Sequence, residues 1–167
     1  MNPLPNPSRA AVDLGCRALE PLARYHRFEV RGMEHVPRRG ACLWGAHHTL
    51  ATYDGFLLGV RIVQQTGRLP RALGDRTIFQ IPGLRGLAPQ LGIVQADPEA
   101  GETLLRQGEI VAVAPGGMWE ALRPAEERYR TRWESRMGFA RLALRCGAPL
   151  MLSACPRADE LYTVFPS

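Results

Sequence analysis

The feature that most restricts the fold of this chain is a set of short runs with no polar face. Residues 110–113 read Ile-Val-Ala-Val, and 41–46 and 148–154 are nearly as apolar. A strand with one wet face alternates apolar and polar residues, whereas a strand covered on both sides reads as a continuous apolar run. Between these runs the period changes. Phe139, Leu142, Ala143 and Cys146 fall at i, i+3, i+4 and i+7, and Gly147 follows as a stop, so a helix is predicted over 134–146. Further helices are predicted over 52–65 and over 99–107, the latter closed by Gly108, with a short one after Pro115-Gly116-Gly117. Strands are also predicted over 27–31 and 109–114, and 91–95 is a short apolar run. Strands alternating with helices point to an α/β fold, a mainly parallel β-sheet covered by α-helices.

The 167 residues suit one domain, and size scaling buries about 70% of the extended chain's surface without disulfides or a structural metal. Residues 1–8 hold three prolines and read as a flexible leader; 9–167 read as a single domain, beginning with an amphipathic helix over 9–24 capped by Ser8. Val12, Leu19 and Leu22 leave Arg9, Arg17 and Arg24 able to snorkel, so this helix suits a membrane surface or packing on the domain. No apolar run is long enough to span a bilayer and no signal-peptide pattern opens the chain, so the expected location is cytoplasmic, peripherally associated with the membrane. Cys16, Cys42, Cys146 and Cys155 are far apart and read as reduced, small apolar residues. All 21 basic residues are Arg, with a formal net charge of +5. Such a surface suits phospholipid headgroups or coenzyme phosphates, and arginine-favouring codons account for it equally well. The arginines are scattered, and no motif interleaves them with aromatics, so nucleic acid is not an expected partner.

Two clusters carry chemistry. His47-His48 follows the 41–46 run, with Asp54 six positions after His48. A carboxylate can fix an imidazole's tautomer while the ring takes a proton from a hydroxyl. In one continuous helix His48 and Asp54 would stand about 240° apart with a rise of roughly 9 Å, so the dyad requires His48 in the loop before the helix. The alternative is a capping or core histidine beside a first-turn carboxylate. The second cluster is Pro115-Gly116-Gly117-Met118-Trp119-Glu120-Ala121-Leu122-Arg123, in which a strand enters a helix through two glycines. Backbone N–H groups exposed there suit an anion or an oxyanion; a tight turn uses the same glycines with no ligand. His47 and His48 lack a third ligand at metal-site spacing, so no metal is expected.

In this order the two clusters resemble the glycerolipid acyltransferase superfamily, which includes lysophosphatidic acid and diacylglycerol acyltransferases. The likeness is closest to the mono- and diacylglycerol acyltransferase branch. It rests on the His…Asp element, Ile81-Pro82-Gly83, Pro-Gly-Gly-x-x-Glu-Ala-Leu at 115–122, Gly-Phe-Ala-x-x-Ala at 138–143 and an apolar strand introduced by Pro149, and covers about 25–160. Five residues separate His48 from Asp54, where the familiar superfamily pattern has four. Relative to the family the chain is expected to be shortened at its C-terminus.

The resemblance implies acyl transfer from a thioester, acyl-CoA or acyl carrier protein as co-substrate with no cofactor, to the hydroxyl of a lipid acceptor. It makes His48 the general base and Asp54 its orienter. Gly116, Gly117 and Arg123 are assigned to the thioester and its oxyanion, and Glu120 and His47 to the acceptor. Phosphate-bearing acceptors in the superfamily meet an Arg in a stretch that here offers Ala96 and Asp97, which favours a neutral hydroxyl over a lysophospholipid or glycerol phosphate. The other expectation is a catalytically silent, membrane-binding relative.

Overall fold

The computed structural model describes residues 4–49 and 53–164. Its centre is a five-stranded sheet, ordered β3-β2-β4-β1-β5. The strands are β1 (Cys42–Ala46), β2 (Arg71–Gly74), β3 (Val94–Gln95), β4 (Ile110–Val113) and β5 (Leu150–Ser153). All four pairings are parallel, β1 lying between β4 (Gly45 opposite Val113) and β5 (Ala46 opposite Ser153). The α/β expectation holds.

The apolar runs explain themselves in the packing, because successive side chains point to opposite faces. Leu43 and Val111 face one layer, where α4 (Pro98–Arg106) and α6 (Gly138–Cys146) bring Leu104, Leu105, Phe139 and Leu142. Cys42, Trp44, Ile110 and Ala112 face the other, against Ile62 and Leu58 of α2 (Tyr53–Thr66). Leu43, Ile62, Leu104, Ile110 and Val111 have no more than 1% of their surface exposed, and each such burial stabilises the fold by about 1.5–3 kcal/mol. The helix α1 (Arg9–Tyr25) packs on α2 and on α3 (Leu84–Gln90); Ser8 caps it by accepting from the Ala11 N–H at 3.4 Å. Among the described residues no helix is long and apolar enough to cross a membrane.

Several expectations are corrected. Residues 27–31 form no strand: α1 closes with the Phe28 N–H on the Ala23 carbonyl, and Arg27 takes the left-handed conformation, φ 49°. The predicted helix over 134–146 begins only at Gly138, because Glu134 is left-handed at φ 45° and a turn joins Arg136 to Trp133. β5 is an edge strand whose Leu150 and Leu152 are exposed, not covered on both faces. Residues 4–8 of the expected leader make defined contacts. Leu4 packs on the core, the Pro5 carbonyl accepts from Arg71 at 2.6 Å, and the Ser8 N–H donates to the Gln90 carbonyl at 2.9 Å. Thr52, the predicted first residue of α2, and residues 1–3 and 165–167 lie outside the described part.

Candidate active site

In a parallel sheet every strand points its carboxyl end to the same edge, and sites form there. At this edge β4, β1 and β5 are neighbours, so the residues that follow them converge. β1 delivers His47, His48 and Thr49; β4 delivers the Gly116–Gly117 turn and α5 (Gly117–Ala121); β5 delivers a 3-10 turn, Pro156–Glu160, carrying Asp159. The His47 N–H donates to the Ser153 carbonyl at 3.1 Å, which extends the sheet into the site.

His48 is half-buried in the loop between β1 and α2, as the dyad requires. Its Nδ1 is 2.9 Å from the Thr49 carbonyl. A carbonyl only accepts, so Nδ1 carries the proton and the ring's lone pair lies at Nε2. The buried Thr49 donates its hydroxyl to Asp54 Oδ1 at 3.4 Å, so Thr49 stands between the two predicted partners. Burial holds His48 below the ordinary histidine value of 6.5, with neighbouring carboxylates Glu120 and Asp54 acting the other way. Burial also pushes the Asp54 carboxyl up, while the N–H groups of Asp54 and Gly55, His47 and Thr49 oppose the rise. A neutral imidazole beside a carboxylate is the form that can accept a hydroxyl proton.

Gly116 is left-handed at φ 80°, and a Cβ on it would stand 2.7 Å from Glu120 Cβ, so two independent constraints require glycine there. Gly117 is also left-handed, φ 54°, and its N–H closes the turn onto the Ala114 carbonyl at 3.3 Å. The two residues expected to meet substrate beyond this turn face inward instead. Glu120 is fully buried; its Oε2 accepts from the Arg132 N–H at 2.8 Å and so ties the loop after α5 beneath the glycine turn. Arg123 is 5% exposed. Its Nη2 lies 2.8 Å from Asp159 Oδ1, 3.0 Å from the His48 carbonyl and 2.6 Å from His47 Nε2, while Nη1 donates to the Arg130 carbonyl at 3.2 Å. With those contacts it has little to offer a thioester. His47 sits in the same knot, its Nε2 within 3.8 Å of Asp159 Oδ1 and 4.0 Å of Glu120 Oε1.

Asp159 and Thr49 escaped the sequence reading. Burial alone would raise the Asp159 carboxyl, but the Arg123 hydrogen bond, the Tyr129 N–H and the nearby charges of Arg123 and His47 bring it below the usual range. Nothing in the local pattern around Asp159 announces a partner 36 residues away. Among the described residues no cluster of histidine, cysteine, aspartate and glutamate is arranged to hold a metal ion.

Residues 27–155 match the family described as Acyltransferase. Among curated proteins, the chain is similar to the "DGAT1/2-independent enzyme synthesizing storage lipids" of Bos taurus, 32% identical over 77% of this chain and 38% of that one. The Mus musculus protein of that name is 34% identical over 77% of this chain and 39% of its own length. An uncharacterized protein of Mycobacterium bovis is 32% identical over 86% of this chain and 42% of its own. The chain therefore spans about two fifths of the length of these relatives. No solved structure matches it.

Proposed function

The chain belongs to the Acyltransferase family, and from that premise we propose that it moves a fatty acyl group from a thioester donor, acyl-CoA or acyl carrier protein, to the hydroxyl of a neutral lipid acceptor. The observation that carries this reading is His48: half-buried, protonated at Nδ1 toward Thr49, depressed in pKa and placed at the edge where the glycine turn also emerges. His48 Nε2 takes the acceptor's hydroxyl proton as its oxygen attacks the thioester carbonyl. The resulting oxyanion collapses, the C–S bond breaks, and the imidazolium returns its proton to the departing thiolate. Asp54 stabilises the transient imidazolium by its charge and through Thr49. The Gly116 N–H is the donor for the oxyanion, since the Gly117 N–H already closes the turn. No covalent enzyme intermediate enters this route.

For the acceptor, the telling position is Asp97. Its carboxylate caps α4, accepting from the N–H groups of Glu99 at 2.7 Å and Ala100 at 3.3 Å. Where a phosphate-bearing acceptor needs a guanidinium, the chain has a helix cap of the wrong charge. The name of the bovine and mouse relatives, enzymes synthesizing storage lipids, points to the same neutral class. Membrane contact in this reading is peripheral, through α1 and the exposed Ile81 and Leu84. The deciding experiment offers monoacylglycerol, diacylglycerol, lysophosphatidic acid and glycerol 3-phosphate side by side with a labelled acyl thioester. Transfer to the neutral acceptors, lost in His48→Ala, is expected. Preference for a phosphate-bearing acceptor overturns the acceptor assignment, and vesicle binding without any turnover leaves a silent lipid-binding module.

A further inference from the structure

Arg123 and Asp159 take no part in the proton transfer at His48, yet both are buried against the segment that carries this base, with only 4% and 5% of their side-chain surfaces exposed. Burying a permanent charge is unfavourable unless it is paired and hydrogen-bonded, and Arg123, just after α5, meets that condition. The pairing is two-pronged: Nη2 to Oδ1 at 2.8 Å and Nε to Oδ2 at 3.3 Å. Oδ2 also accepts from the Tyr129 N–H at 2.8 Å, so the carboxylate is anchored from a second side. Nη1 reaches the Arg130 carbonyl at 3.2 Å and Glu120 Oε1 at 3.5 Å, and Nη2 also reaches the histidine segment, the His48 carbonyl at 3.0 Å and His47 Nε2 at 2.6 Å.

Those last two contacts have different consequences. The first pins the peptide of the residue whose ring takes the proton. The second sets the guanidinium directly against the neighbouring ring, whose Nδ1 is buried with no hydrogen-bond partner among the described residues.

We propose that Arg123 and Asp159 are a positioning pair for His48, gripping its backbone and bracing the ring of the adjacent His47. The proposal rests on reading His48 as the base. A small displacement of a reacting group is enough to cost rate while leaving binding untouched, so the signature is a fall in kcat with KM preserved.

The test uses the whole chain with Asp159→Asn and Arg123→Lys, which keep size but remove the carboxylate charge or the fork, and with Asp159→Glu as the conservative variant. Expected are a kcat per folded molecule lower by up to about 100-fold with little change in KM, and partial recovery in Asp159→Glu. Should Asp159→Asn and Arg123→Lys fail to fold, Asp159→Glu is read alone: a lowered kcat at unchanged KM supports the pair, and a kcat equal to the parent's overturns it. Unchanged kcat in folded Asp159→Asn and Arg123→Lys, beside an inactive His48→Ala, overturns the pair and leaves the base standing. A fully active His48→Ala overturns the base and the pair together.

Discussion

After β1 the chain turns into His47, His48 and Thr49; after β2 it runs into a 3-10 turn, Arg76–Gln80, and then α3. Both strands lie one place in from an edge of the sheet, and both turns leave from the same end of it. Their surroundings are nonetheless opposite. Long loops succeed β4 and β5 and fold over the first turn, burying Glu120, Arg123 and Asp159. Beside the second, β3 passes at once into the Asp97 cap of α4, and although α1 packs on α3, Ile81, Leu84 and Leu87 stay 40% or more exposed. Position in a parallel sheet marks where a site can form; the loops leaving the neighbouring strands decide whether it becomes a buried polar site or an apolar surface.

The sharpest way to break this comparison is at the covered turn. His48→Ala should lower acyl transfer by about 10²–10⁴-fold, the usual contribution of a positioned base. His47→Ala should be much milder, since its Nε2 lies against Arg123 at 2.6 Å. Side-by-side turnover of the two variants checks this, and a dead His47→Ala with an active His48→Ala reverses the roles.

Gly116→Ala should come next. It carries the cost of about 1–2 kcal/mol for a left-handed side chain, and its Cβ would collide with Glu120 Cβ at 2.7 Å. Thermal stability and transfer rate should both fall, and a variant as stable and active as the parent removes the turn from the site.

The pH profile gives a moderate effect. A base works deprotonated, so the rate must fall as pH drops through the pKa of His48. Burial holds that pKa below 6.5 in the free protein, so the acid limb of kcat/KM should lie below pH 6.5 and shift up when burial is relaxed. A limb above the ordinary histidine value contradicts this environment.

The smallest change is expected at the uncovered segment. Leu84→Ser and Arg85→Gln should weaken flotation with anionic vesicles, the latter by roughly 1 kcal/mol for one basic residue near the surface, and added salt should weaken binding of the parent. Equal binding to neutral and anionic vesicles removes the electrostatic part.

Much of the fold was legible because the signals are local. The apolar runs of β1 and β4, the period of α6 and the stop at Gly147 involve residues within one element. β2 was not legible: no local pattern marks Arg-Ala-Leu-Gly as a strand, and its Arg71 is buried only by donating to the Gly92 and Pro5 carbonyls across the chain. The same contacts explain why the supposed leader is packed.

The candidate site divides along the same line. His48, Asp54 and the Pro-Gly-Gly turn are short-range patterns of residue type and spacing, and the sequence by itself determined them as candidates. The inward turn of Glu120 and Arg123, the difference between His47 and His48, and the entry of Asp159 belong to the tertiary structure alone. They depend on a guanidinium meeting a carboxylate 36 residues on and an imidazole 76 residues back. Only the side-by-side placement of β4, β1 and β5 brings those groups within hydrogen-bond distance, and only burial makes a charged group choose an internal partner over water.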